Sequence, residues 1–141
     1  MNKPKILVVD DEPLNLELME GVLSKDYEII KASNGIDASI MVEKTLPDLI
    51  ILDVMMPNMN GYAFCRQIKN DIKTRKIPVL MITALREEKD KLNAIESGAD
   101  DFLSKPVDIS KLGFQVKSLL DARKHLNSDP APSNINIYKV F

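Results

Sequence analysis

The sequence predicts an α/β fold in which a five-stranded parallel sheet carries helices on both faces. Three observations predict it. Apolar runs without polar alternation recur along the chain, namely Ile6-Leu7-Val8-Val9, Leu49-Ile50-Ile51-Leu52 and Val79-Leu80-Met81-Ile82, and such runs read as strands buried on both faces. Strand-like runs alternate strictly with stretches at helical spacing, which implies parallel strands joined by helical crossovers. The central run ends directly in an acid, Asp53, and the carboxyl ends of the strands are where open sheets of this kind place their chemistry.

The elements follow in order. Ile6–Val9 is a short buried strand that ends at Asp10-Asp11. Asp11 is the expected cap of a first helix that Pro13 opens, since proline suits the first helical turn. Leu14, Leu18 and Val22 repeat every four residues and are expected to form its buried face. Tyr27 to Ala32 is a second strand, placed near an edge because Glu28 and Lys31 interrupt it. Ser33-Asn34-Gly35 turns into a second helix with Ala38, Met41 and Val42 inward. Pro47-Asp48 precedes the central strand.

After Pro57, Asn58 to Gly61 is a turn, with Asn60 capping a third helix that runs to about Asp71. Ile77 to Ile82 is the fourth strand, with Pro78 tolerable near its start, and Thr83-Ala84 closes it. Glu87 to Glu96 is a polar helix whose expected apolar contacts are Leu92 and Ile95. Gly98 stops it in the left-handed conformation. Asp101–Ser104 is a short fifth strand ended by Lys105-Pro106. Asp108 or Ser110 caps a last helix, with Ile109, Leu112, Val116, Leu119 and Leu120 toward the core.

Composition bounds the function. A chain of 141 residues with 45% hydrophobic and 28% charged content is ordinary for one soluble domain. Its 19 basic and 21 acidic residues leave a net charge of −2, which argues against direct binding to nucleic acid or to an anionic membrane. Met1 to Lys5 leads into only four apolar residues, so neither a signal peptide nor a membrane span is expected, and the chain is expected to be cytoplasmic. The single cysteine, Cys65, cannot form an internal disulfide and reads as a buried, inert thiol. Met55, Met56 and Met59 read as packing filler, and His125 as a favourable charge near the end of the last helix.

The polar residues at strand ends form one constellation. Asp10 and Asp11 follow strand one, Asp53 strand three, Thr83 strand four and Lys105 strand five. In the flavodoxin-like doubly wound order 2-1-3-4-5, strands one and three flank the switch point and the three acids converge there. Three carboxylates close together repel and raise their own proton affinities. A divalent cation resolves this, and Mg²⁺ fits an all-oxygen site best. Asp53, expected to be exposed and ionised, is then a competent nucleophile toward phosphorus. Lys105 would neutralise a phosphoryl oxygen, Thr83 would donate a hydrogen bond to another, and the small Ala84 leaves room at the mouth.

The chain resembles the receiver domain of two-component response regulators, with a fold similar to the chemotaxis regulator. The matching pieces are Ile6 through Glu12, Leu52-Asp53-Val54-Met55-Met56-Pro57, Asn60-Gly61, Ile82-Thr83-Ala84, Gly98 through Phe102, and Lys105-Pro106. They stand in the family's order over roughly residues 4–124. The resemblance implies that Asp53 is phosphorylated by a partner histidine kinase or phosphotransfer protein. It implies Mg²⁺ held by Asp10, Asp11, Asp53 and the backbone carbonyl of Met55. It further implies a switch formed by Thr83, Ala84 and Phe102, where other members carry tyrosine in place of the phenylalanine, and a cis bond between Lys105 and Pro106.

Members of the family often dimerise through the face formed by the fourth helix, fifth strand and fifth helix. Lys91, Asp101 and Lys117 fall where such members place cross-interface ion pairs, so a phosphorylation-favoured homodimer is expected. The receiver is read as residues 1–126. Residues 127–141 read as a linker that leads into an output domain or as a tail that docks elsewhere, with Ile135 to Phe141 loosely alternating like a strand. The protein is not expected to be an enzyme beyond its own phosphorylation and dephosphorylation. An aspartate-nucleophile phosphatase would want an acid two residues after Asp53, where the chain has Met55. A carrier of flavin mononucleotide would want a Ser/Thr-rich loop after strand one, where Asp10-Asp11-Glu12 would repel its phosphate.

Overall fold

The computed structural model describes residues 2–57, 59–84 and 87–128, with the side chains of 125–128 outside that description. The side chain of His125 and the strand-like stretch Ile135 to Phe141 therefore lie outside what is described. The chain alternates β1 (Lys5–Val9), α1 (Pro13–Leu23), β2 (Glu28–Ala32), α2 (Gly35–Thr45), β3 (Leu49–Asp53), α3 (Gly61–Asn70), β4 (Val79–Thr83), α4 (Glu88–Glu96), β5 (Asp101–Ser104) and α5 (Ile109–Ser128). The five strands are all parallel in the order β2-β1-β3-β4-β5. The sequence expectation of a doubly wound sheet thus describes the molecule.

Successive residues of a strand point to opposite faces, which explains why the central strands lack polar alternation. Leu7, Val9, Ile50, Leu52, Val79 and Met81 pack on one face with Ala38 and Val42 of α2, Phe64 and Ile68 of α3, and Ala94 of α4. Ile6, Val8, Leu49, Ile51, Leu80 and Ile82 pack on the other with Met19 and Leu23 of α1 and Leu112 and Val116 of α5. Every residue of β3 and β4 is buried, whereas β2 at the edge has two exposed positions, Glu28 and Lys31. Lys31 reaches back to Glu20 of α1 at 2.8 Å.

Helix starts follow short polar side chains. Asn34 accepts from the Asp37 amide at 2.8 Å, Asn60 from the Ala63 amide at 3.1 Å, and Asp108 from the Ser110 amide at 2.9 Å. Asp108 is therefore the cap of α5 rather than Ser110. These bonds satisfy amides that have no partner within the helix. The left-handed Gly98, at φ +85°, carries the chain out of α4.

Several helix faces differ from expectation. Asp11 does not cap α1. Glu12 occupies that position without a side-chain cap, and Asp10 instead accepts the Glu12 amide at 2.9 Å. In α1, Met19 and Leu23 are buried while Leu14 and Leu18 are exposed, because the helix lies one position round from the stripe that its leucines suggest. Leu92 and Ile95 of α4 are also exposed, leaving Ala94 as its buried residue. Ile109 at the start of α5 and Met55 after β3 are exposed too, so Met55 is not packing filler. Cys65 is fully buried, and burial pushes its thiol pKa up, as an inert thiol requires.

One close approach fixes the loop that follows Asp53. A Cβ added at Gly61, the first residue of α3, would stand 2.8 Å from both Cα and Cγ1 of Val54. Backbone cannot yield as a flexible side-chain end can. Gly61→Ala is expected to lower stability by about 1–3 kcal/mol, read as a lower urea midpoint with an unchanged slope.

Candidate functional site

The sheet order brings the carboxyl ends of β1, β3, β4 and β5 side by side. Asp10 directly follows β1, and Asp53 is the last residue of β3. Carboxylate oxygens of Asp10, Asp11 and Asp53 all lie within 4.8 Å of one another. Thr83 ends β4 and is buried, and Lys105 directly follows β5. The Lys105 backbone amide donates to Thr83 O at 2.9 Å and the Val54 amide to Ile82 O at 3.1 Å, continuing the ladder into the site.

Asp53 is not exposed, contrary to expectation, but 3% accessible. A charge so enclosed needs partners. The Lys105 ammonium lies 3.0 Å from Oδ1 and 3.1 Å from Oδ2, spanning both oxygens, and the Met55 amide donates to Oδ1 at 2.9 Å. Asp10 is equally enclosed. Its carboxyl pKa is raised, first by burial and then by the nearby Asp53 charge, against the lowering effect of the Glu12 amide, Asn15 and Lys105. Asp11 is exposed and completes the cluster from the solvent side.

Asn15 is the contact that sequence reasoning missed. Its side-chain amide donates to Asp10 Oδ2 at 3.2 Å and to Glu12 at 3.2 Å. The available signal was its place one turn into a helix whose start carries the acids. Ala84 is half-buried at the mouth. Phe102 is partly buried against the α2–α4 side of the core. The Lys105–Pro106 peptide bond is cis.

Three oxygen-rich groups around a point, two of them buried, suit a hard cation; burial first, and the Asp53 charge after it, hold the Asp10 carboxyl above its ordinary value. Asp10 holds its proton more tightly in the fold than in the unfolded chain. The metal-free fold is therefore favoured while Asp10 is protonated. That advantage is lost as pH rises from the ordinary carboxylate value through the raised one. Asp10→Asn is expected to raise the metal-free melting temperature at neutral pH by a few degrees and to flatten its acid-side pH dependence. The same variant should weaken stabilisation by added Mg²⁺, which differential scanning calorimetry would read.

The family model for the response regulator receiver domain matches residues 6–117. The chain belongs to the response regulator receiver domain family. Among its relatives, the response regulator PleD of Caulobacter vibrioides is 48% identical over 116 residues, covering 82% of this chain and 26% of that protein. A solved signal receiver domain of a signal transduction histidine kinase from Syntrophus aciditrophicus is 40% identical with a TM-score of 0.80, over 84% of this chain and 91% of that one. The receiver domain of the sensor histidine kinase PA1611 from Pseudomonas aeruginosa, solved with a magnesium ion coordinated in its active-site cleft, is 28% identical with a TM-score of 0.76, over 84% of this chain and 98% of that one. This receiver chain spans from under a tenth to just over half the length of the curated relatives it matches. Receiver domains are phosphoacceptor signalling domains of two-component systems, and among the described residues no helix is long and apolar enough to cross a membrane.

Proposed function

We propose that this receiver is a Mg²⁺-dependent phosphoacceptor switch in which Asp53 takes a phosphoryl group from the phosphohistidine of a kinase or phosphotransfer protein. One observation carries the reading: three carboxylates converge within 4.8 Å while Lys105 stands 3.0 Å from Asp53. Asp10, Asp11, Asp53 and the Met55 carbonyl would hold the cation, as the acidic donor set allows. When bound, Mg²⁺ supplies positive charge to the entering phosphoryl oxygens. An Asp53 oxygen forms the new bond to phosphorus as the phosphorus–nitrogen bond breaks, and the departing imidazole keeps the electron pair and takes a proton from solvent. Lys105 then leaves the Asp53 carboxylate for a phosphoryl oxygen, and the Thr83 hydroxyl donates to another.

The exposed Leu14 and Leu18 of α1 fit this reading. Leu18 shares a pocket of about 280 Å³ with Asp10, Asn15, Lys105 and Ile109. Those apolar side chains give a donor protein a surface beside the acceptor. The α4-β5-α5 face carries the readout: α4 has a single buried residue and can shift when Thr83 and Phe102 rearrange. Lys91 and Asp101 lie on α4 and β5, and phosphorylation favours a homodimer through the α4-β5-α5 face; Lys117 of α5 lies instead beside Lys5 and Tyr27 and takes no part in that pairing. Sedimentation with and without beryllofluoride tests the dimer, and an unchanged monomer at high concentration contradicts it.

The loading step has its own test. Incubation with acetyl phosphate and Mg²⁺ should add the mass of one phosphoryl group per chain, and chelation by EDTA should prevent it. No gain, or the same gain without metal, overturns the reading.

A further inference from the structure

The opposite end of the sheet carries a second concave site with a different character. It is a pocket of about 720 Å³ between the starts of β1 and β3, the entry to β2 and the second half of α5. Five cationic side chains, Lys3, Lys5, Lys117, Arg123 and Lys124, line it against two carboxylates, Asp48 and Asp121. That balance is the reverse of the chain as a whole, which is net negative. The carboxylate of Asp48 is already engaged, accepting the Lys5 amide at 2.8 Å and standing 3.6 Å from the Arg123 guanidinium. Among the described residues, no carboxylate lies within 4 Å of the ammonium groups of Lys5, Lys117 or Lys124.

The frame of the pocket is firm. Arg123 donates to Asp48 O at 2.8 Å and to Pro47 O at 3.4 Å, tying α5 to the segment that enters β3. Lys3 donates to Ser24 O at 3.0 Å, tying the amino-terminal segment to the end of α1. Tyr27 and Leu120, both partly buried against the core, add an aromatic and an aliphatic surface to the cationic rim. The lining is net positive, with five cations against two carboxylates, and a concave site with such an excess concentrates anions. The volume falls within the range of about 300–1,000 Å³ usual for small-molecule pockets, and it exceeds what a lone phosphate fills.

We propose that this pocket binds a phosphate-bearing small anion of nucleotide size, with Lys5, Lys117 and Lys124 meeting the phosphates and Tyr27 and Leu120 the less polar part. The proposal is independent of the chemistry at Asp53. It places a second input on α5, the helix that contributes to the proposed readout face and leads away from the domain.

The test uses the full chain, ¹⁵N-labelled, without divalent metal and at physiological salt. ATP, inorganic pyrophosphate and poly-glutamate are titrated in separate arms. ATP should give saturable amide shifts at Lys5, Tyr27, Lys117 and Lys124 with half-saturation below about 1 mM. Pyrophosphate should move the same amides more weakly; equal binding would assign the site to polyphosphate rather than to a nucleotide and so overturn the size assignment. Lys117→Glu/Lys124→Glu, at two exposed positions, should weaken ATP binding by about tenfold or more. Lys117→Gln/Lys124→Gln should weaken it less, and both variants should still be loaded by acetyl phosphate. No saturable shift with either phosphate compound, shifts confined to the surroundings of Asp53 and Lys105, unchanged affinity in both variants, or tighter binding of poly-glutamate would each overturn the proposal.

Discussion

Asp53→Ala is expected to abolish phosphoryl loading. The variant removes the only nucleophile that the account places opposite both the acid cluster and an ammonium, so neither acetyl phosphate nor a kinase phosphohistidine should add mass to it. The neighbouring acids do not substitute. Asp10 is enclosed, with its oxygens committed to the Glu12 amide and Asn15, and Asp11 stands at the solvent edge of the cluster. The loss should be complete on the timescale of wild-type loading, and intact-mass measurement checks it. The fold should persist, because Asp53 ends its strand and the layers of β3 are built by Leu49 to Leu52.

Lys105→Ala is expected to have the next largest effect, and on two quantities at once. Lys105 is the single ammonium within 4 Å of Asp53 among the described residues. Its removal withdraws a positioned charge from the transferring phosphoryl group, and loss of one such donor slows the chemical step by about 10²–10³-fold. It also leaves the enclosed Asp53 carboxylate with the Met55 amide as its remaining described partner, which lowers stability by about 1–3 kcal/mol. Lys105→Arg should restore stability better than rate, because a planar guanidinium keeps a charge near Asp53 but cannot reproduce the point contact of an ammonium. Loading rates under saturating acetyl phosphate and urea midpoints separate the two effects.

The architecture was legible in the sequence because its signals are local and redundant. Leu49 to Leu52 cannot alternate when both faces of β3 are covered, and the same holds for β1 and β4. Strict alternation with helices then leaves few sheet orders, and the acids at strand ends select the one that brings them together. Asn60 and Gly98 were equally readable, since capping and left-handed turns depend on one residue and its immediate neighbours; Asn34 was read as a turn residue, and its capping bond came from the structure.

What was not legible depends on how each helix is rotated about its axis. Leu14, Leu18 and Leu92 have helical spacing, yet tertiary packing turned them outward and chose Met19, Leu23 and Ala94 instead. Hydrophobic spacing marks a stripe but does not say whether the stripe meets the sheet or a partner. Burial of Asp53 was missed for a related reason. Its position at a strand end suggested solvent, while the surrounding loops and the Lys105 side chain close over it. The role of Asn15 required the fold of α1 against the β1 terminus. The cationic pocket at the other end of the sheet was invisible for the same cause, since Lys3, Lys5, Lys117 and Lys124 are far apart in the chain.

The most direct measurement locates the phosphoryl group. After loading with acetyl phosphate and Mg²⁺, borohydride reduction converts an aspartyl phosphate to homoserine, and peptide mass mapping identifies the converted residue. Conversion is expected at position 53 alone, absent when metal is chelated. Conversion at Asp10, Asp11 or any other acid, with Asp53 unmodified, would contradict it.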